Sequence, residues 1–270
     1  GLTEATSVVT ATDRVAKQLL AITHRVLNDL RQYPWPQLAR ETYFTLVAGT
    51  ASYALPSDFD SRIIEAPWNR DNTWPLYGPI SADEWQYSKA LGNASTFPQQ
   101  FRLKGYETAQ LFIDPTPGTS EAGQVIYYEY QSKNVVRPKL WETNDIYAAG
   151  SYTFYNGFYF VTSLGGTTNG TTPLNDVGVN WSYFKTEGVD GPYDKFLADT
   201  DECLIDQDLL GLGVQWNYLA SKGLPYQHLE AKYNDNVKST IPKFAGAKTL
   251  YLAKRLSVVR GLNVPETIPT

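Results

Sequence analysis

The chain has 270 residues, enough for one large domain or two small ones, and its 42% hydrophobic and 19% charged residues are those of an ordinary globular protein. Its net charge of −5 is uneven: residues 243–270 carry Lys243, Lys248, Lys254, Arg255 and Arg260 against Glu266 alone, a net +4, which leaves −9 on the first 242 residues. An acidic body with a basic tail does not suit a protein that grips duplex DNA, but it does suit a tail that docks on an acidic partner.

No apolar run reaches the eighteen or so residues that span a bilayer, so no membrane anchor is expected. The opening GLTEATSVVTATD has neither the basic start nor the apolar stretch of a secretory signal. One cysteine, Cys203, excludes an internal disulfide framework and a cysteine-rich zinc site. Synthesis and assembly in a cytoplasm is the expectation.

From the N-terminus, Val15, Leu19, Ile22, Val26 and Leu30 recur at spacings of four and three, which predicts a helix from about residue 12 to 30. Pro34 and Pro36 stop it. ETYFTLV (41–47) and ASYAL (51–55) flank Ala48-Gly49-Thr50 and read as a hairpin, with SRIIEA (61–66) as a third strand. The Trp- and Pro-rich stretch that follows reads as an ordered loop, and Ser81 with Glu84 forms a capping box for a short helix. QFRLK (100–104), AQLFI (109–113) and QVIYYEYQ (124–131) complete a mainly antiparallel sheet.

Near the C-terminus, Asp199 and Glu202 read as a second capping box, opening a helix through DECLIDQDLLGLGVQWNYLASK. Its apolar face is Ile205, Leu209, Leu212, Trp216 and Leu219 or Ala220. Gly223 and Pro225 end it, and residues 226–240 form an antiparallel partner helix. Gly211 and Gly213 lie inside the first of these helices, where they permit close helix packing. Beyond Pro242, YLAKRLSVV (251–259) is a candidate strand.

Between these body elements the composition shifts to Gly, Thr, Asn and aromatics, which marks an inserted β unit at 139–190. Residues 146–163, IYAAGSYTFYNGFYFVTS, hold seven aromatic side chains and no charge. Asn156-Gly157 is a type I′ turn sequence. It pairs Tyr155 with Phe158, Phe154 with Tyr159, Thr153 with Phe160 and Tyr152 with Val161. One face is then Thr153, Tyr155, Phe158 and Phe160, and the other is Tyr152, Phe154, Tyr159 and Val161. Both are apolar, so one forms a core with Trp141 and Trp181 and the second needs a partner.

Chemistry is thin. Asp199, Asp201, Glu202, Asp206 and Asp208 are the densest carboxylate group, and acids in a first helical turn are explained by the helix dipole. GxSxG, HExxH and P-loop motifs are absent, and His24 and His228 are the two histidines. No catalytic residue, metal site or cofactor is expected.

Four stretches, WPQLARETYFTLVAGTASYALPSDFDSRII, WPLYGPISADEWQ, FRLKGYETAQLFIDPTP and FLADTDECLIDQDLLGLGVQWNYLASKGLPY, resemble the head-to-tail adaptor proteins of short-tailed bacteriophages. The resemblance covers about residues 10–138 and 190–240. It implies an α+β fold, a helical bundle body with an antiparallel β-sheet and an inserted small β module. Its parts are the body (1–138 and 191–242), the module (139–190) and an extended docking tail (243–270). It further implies a virion protein of the neck or tail region, in a twelve-fold ring beneath the portal protein. Its partners are further copies of itself, the portal and a downstream tail or nozzle protein, with DNA passing through unbound. The tail residues expected to dock on the portal are Lys248, Tyr251, Leu252, Lys254, Arg255 and Arg260, with strand addition as one mode.

The order Trp141, Tyr147-Ala-Ala-Gly150, Tyr155-Asn-Gly157, Phe160, Pro173, Trp181 resembles the small carbohydrate-binding modules of chitinases. Three readings of the insertion stay open: packing against the body or a neighbouring subunit, docking of a tail fibre or spike, and glycan binding. For the last two the candidate contacts are Tyr152, Phe154, Tyr159 and Trp181.

Overall fold

The computed structural model describes residues 7–92, 98–105, 109–147, 149–163, 166–167, 172–186 and 193–244. About 31% of the chain is helix and 28% strand, in four helices and several antiparallel sheets, an α+β protein. In chain order the elements are α1 (Arg14–Arg31), β1 (Ala39–Thr45), β2 (Ser52–Ala54), β3 (Phe59–Ile63), β4 (Trp68–Asn69), β5 (Trp74–Pro75) and α2 (Ala82–Leu91). They continue with β6 (Gln100–Lys104), β7 (Gln110–Asp114), β8 (Val125–Ser132), β9 (Val136–Arg137), β10 (Ile146–Tyr147), β11 (Tyr152–Tyr155) and β12 (Phe158–Thr162). The last are β13 (Gly166–Thr167), β14 (Trp181–Thr186), β15 (Glu202–Cys203), α3 (Gln207–Ser221) and α4 (Gln227–Phe244).

Three helices make the bundle. Asp13 caps α1 by accepting the N–H of Val15 at 2.6 Å, and Val26, Leu27 and Leu30 on its inner side are fully buried. Val15, the first residue of the predicted stripe, lies beyond the reach of α3 and is exposed. α3 runs antiparallel to α1: Gln18 Nε2 donates to Ser221 Oγ at 3.0 Å at one end, while Gly213 abuts Val26 nearer the other. Gly223, at φ +68°, reverses the chain into α4, whose Tyr233 and Val237 return to the same core.

Strands β1–β8 form two sheets rather than one. β8 pairs with β1, β3 and β4, and β4 continues to β5, whereas β7 lies between β2 and β6. Leu46, Ile63, Leu76, Phe101, Leu111, Ile113, Ile126, Tyr128 and Tyr130 fill the space between them. The predicted hairpin of β1 with β2 therefore does not form. The Ala48-Gly49-Thr50 turn is present, with Gly49 at φ +76°, but it is a corner that carries the chain from one sheet to the other. β1 is instead paired along its length with β8 and β2 with β7, and Phe44 stacks on Tyr53 with ring centres 4.3 Å apart where the two sheets face each other. Likewise the Trp- and Pro-rich stretch is not all loop, since β4 and β5 pair as a short hairpin.

Gln131 joins bundle to sandwich. Buried at 1% exposure, it donates to the carbonyls of Arg31 (2.5 Å) and Tyr33 (2.9 Å) at the end of α1 and accepts from Arg62 (2.7 Å). Trp35 Nε1 satisfies the Leu30 carbonyl at 2.7 Å. On the far side, the Ser81–Glu84 capping box forms as predicted, and α2 is tied down by buried Asp114 at the end of β7. Asp114 accepts from Ser88 (2.8 Å), Gln100 (2.9 Å) and Lys89.

The second capping box does not form. Glu202 lies in β15, paired with Arg137 at 3.0 Å, and the helix begins later, with Asp206 accepting the N–H of Asp208 at 2.9 Å. A strand pairing outcompeted the helix start: β15 satisfies the backbone of β9, which a helix at that position would leave open.

Candidate functional site

The aromatic hairpin folds in the predicted register, with Tyr152 opposite Val161, Thr153 opposite Phe160, Phe154 opposite Tyr159 and Tyr155 opposite Phe158. Asn156 and Gly157 both take positive φ, +48° and +82°, as the turn requires. β14 extends the pair into a three-stranded sheet. Tyr147, Phe160 and Trp181 form a small core, with Trp141, Tyr155, Phe158 and Leu174 around it.

The opposite face meets the body. Tyr152 packs edge-on against Tyr193 at 5.9 Å, and Tyr193 belongs to the bundle core and pairs with Val136 through two backbone hydrogen bonds. Phe154 lies 4.9 Å from Tyr159 and beneath the Arg137 guanidinium at 5.9 Å. Backbone bonds from Trp141 to Phe154 (2.9 Å) and from Phe154 to Lys139 (3.1 Å) anchor the same edge. Burial together with Asp201, Tyr152 and Tyr159 pushes the Tyr193 phenol well above its ordinary range.

Of the four residues predicted to contact a glycan or fibre, Tyr159 is 1% and Trp181 4% exposed, while Tyr152 and Phe154 are half-buried against the body. A sugar-stacking platform needs an open aromatic face, and Tyr159 and Trp181 have none in this conformation. Among the described residues of this region, the exposed large apolar side chains are Leu140, Ile146, Val177, Val179 and Tyr183, none of them among the four predicted contacts.

The carboxylate group near residue 200 is dispersed into separate structural roles. Asp199 accepts from the backbone of Val8 (2.7 Å) and Val9 (2.9 Å) and from Ser7, so it ties down the N-terminal segment. Asp201 closes a turn by accepting from Leu197 (2.7 Å) and Ala198 (2.8 Å). Among the described residues no cluster of His, Cys, Asp or Glu is arranged to hold a metal ion. Burial pushes the Cys203 thiol up to about 11, the opposite of what a nucleophilic cysteine needs. His24 is lowered by burial and by the neighbouring Lys195.

A surface that the sequence reading missed lies on the outer face of the larger sheet. Tyr43, Tyr127 and Trp68 are cross-strand neighbours on β1, β8 and β4, and beside them opens a cleft of about 350 Å³. Glu41, Glu65 and Glu129 rim it, and the Arg70 guanidinium lies 4.0 Å over the Tyr127 ring while donating to Glu41 at 2.7 Å. The alternation in β8 carried the signal: Tyr127 and Glu129 point out, between buried Ile126, Tyr128 and Tyr130.

The six predicted portal-docking residues, Lys248, Tyr251, Leu252, Lys254, Arg255 and Arg260, and the candidate strand at 251–259 lie outside the described residues. Among the described residues no helix is long and apolar enough to cross a membrane.

A bundle joined to a two-sheet sandwich, with Tyr43 and Trp68 exposed on an outer sheet face, is an α+β scaffold whose aromatic surface suits contact with other proteins. Residues 3–154 match the family described as SU10 adaptor protein, and the chain belongs to that family of phage head–tail adaptors. Its role is accordingly structural, as a virion component that contacts other head and tail proteins. Among curated proteins, none matches the chain.

Proposed function

We propose that the protein forms a ring, twelve-fold as in the adaptors it resembles, that joins the portal to the tail and continues the DNA channel. Family membership over residues 3–154 carries this reading. Charge supports it: a body of net −9 gives a channel wall along which DNA slides rather than sticks. In this reading residues 139–190 are an inserted unit on the outside of the ring, and their inward aromatic face acts as a clasp on the body. The basic segment 243–270, which starts at the end of α4, docks on the portal through Lys248, Tyr251, Leu252, Lys254, Arg255 and Arg260. The protein then needs no catalytic residue and no cofactor. Assembly takes place in the host bacterial cytoplasm, with a tail or nozzle protein binding below the ring.

Native mass spectrometry of the protein mixed with the portal ring from the same genome tests the proposal. One adaptor copy per portal subunit, lost on deleting residues 243–270, is the expected result. An intact portal ring that takes up no adaptor would refute it.

A further inference from the structure

A ring of identical subunits needs two different, complementary patches on each chain, because its interface is heterologous. Copies whose bodies carry −9 also repel one another unless local patches oppose that charge. One such patch is the outer side of α1. Arg14, Lys17, Ala21, Arg25 and Asn28 are all exposed, and their spacing aligns them along one side of the helix. Three of the five are basic and none is acidic. Among the described residues, Arg14, Lys17 and Arg25 make no ion pair.

The counterpart is the cleft on the larger sheet. Its Glu65 and Glu129 likewise have no cation within ion-pair distance among the described residues. Its chemistry suits guanidinium and ammonium groups, which favour aromatic faces backed by carboxylates. Arg70, lying over Tyr127 and bonded to Glu41, already shows one guanidinium held in this manner. Trp68, 40% exposed, lines the cleft with Tyr127, and Tyr43, 62% exposed, lies beside Tyr127 on the neighbouring strand.

We propose that the cleft rimmed by Glu41, Glu65 and Glu129 receives the Arg14–Lys17–Arg25 side of α1 from a second copy of the chain. The contact is head to tail and propagates around the ring. It rests on the adaptor reading, of which it supplies the subunit interface.

Charge reversal in two full-length variants tests it. The first carries Arg14→Glu, Lys17→Glu and Arg25→Glu, and the second Glu65→Lys and Glu129→Lys. All five side chains are exposed, so thermal unfolding of either monomer should match the parent. Copy-to-copy association, followed by analytical ultracentrifugation alone and by native mass spectrometry on the portal ring, should weaken roughly a hundredfold in each variant. Mixed together, the two should recover, because each then presents to the other an opposite-charged patch at both contacts and an alternating ring forms. Parent-like association of either variant, or no recovery on mixing, overturns the contact. A second variant that self-associates normally but no longer loads on the portal would assign the cleft to the portal instead. Failure of the parent itself to load on the portal refutes the adaptor reading. Loading by the parent with no rescue on mixing refutes the α1 contact alone.

Discussion

Gly213 sits where α1, α3 and α4 meet. A Cβ built there would lie 2.5 Å from Val26 Cγ1 and 2.9 Å from Tyr233 Cε2. Val26 is 1% exposed and Tyr233 7%, so neither ring nor methyl has free space into which to retreat. Two effects oppose each other in Gly213→Ala. Helix propensity favours alanine by about 1 kcal/mol, whereas overpacking a tight core costs about 1–3 kcal/mol. With two contacts this short the second effect wins, and a net loss of up to about 2 kcal/mol is expected. Gly211, two residues earlier on the same helix, is exposed and has nothing within 4 Å of its Cβ position. Gly211→Ala should therefore gain close to the full ~1 kcal/mol. Urea unfolding of the two variants beside the parent isolates the packing effect, because the propensity change is common to both. Equal stability of the two alanine variants would refute the claim that Gly213 sets the helix spacing.

Three further outcomes follow from named contacts. Burial alone would raise Asp114, but hydrogen bonds from Lys89, Gln100 and Ser88 outweigh it and hold the carboxyl below its ordinary value. A depressed carboxylate stabilises the fold above its unfolded pKa and loses that contribution as pH falls through the folded one. Thermal stability should thus drop on acidification below about pH 4, with a shallower drop in Asp114→Asn; the same acid dependence in both would exclude this network as a cause. Gln131→Ala removes the side-chain donor of the Arg31 carbonyl and leaves the Tyr33 carbonyl with the Trp35 N–H alone, and should cost about 1–3 kcal/mol in chemical unfolding, while a loss under about 0.5 kcal/mol would show that water replaces the amide. In a double-mutant cycle of Tyr152→Ala with Tyr193→Ala, a coupling of about 0.5–1.5 kcal/mol is expected; zero coupling would mean that the hairpin does not clasp the body there.

Local rules were enough wherever the deciding interaction is itself local. The Asn156-Gly157 turn sets the register of β11 with β12 through two positive φ angles, and the Ser81–Glu84 box starts α2 within one helical turn. Asp199 and Glu202 satisfied the same capping pattern, yet both are engaged elsewhere, Asp199 by Val8 and Val9 and Glu202 by Arg137. Those partners lie far away in the sequence, so no spacing rule could expose them. The split into two sheets was hidden for a similar reason. The strands β1 and β2 and the turn between them satisfy hairpin chemistry, and what separates them is their pairing with β8 and β7, strands far along the chain. The cleft was missed because its residues come from separate stretches of the chain, and the alternation in β1 and β8 marks which side chains face outward but not that Glu65, Trp68 and Arg70 come to lie beside them.

The hairpin shows why an apolar pattern alone does not identify a binding surface. Two apolar faces were legible in the sequence, and an unpartnered one would suit a glycan or a fibre as well as it suits a protein core. Tyr193 follows residues 139–190 in the chain, and its backbone pairs with Val136, before them. That pairing brings together the two strands where the body leaves and re-enters, and it sets a buried ring directly beneath Tyr152 and near Tyr159. The second face is therefore covered by the very segment that closes the body. The family match ends at residue 154, inside β11, yet the bundle core that α1 belongs to is completed by Leu209, Leu212, Tyr233 and Val237. The matched stretch thus depends on α3 and α4 to bury the inner side of its first helix. The region between them must be bridged without prising the two halves apart. A hairpin that presents Tyr152 to Tyr193 does this, because it adds packed contact to the bundle core at the point where the chain leaves and re-enters it.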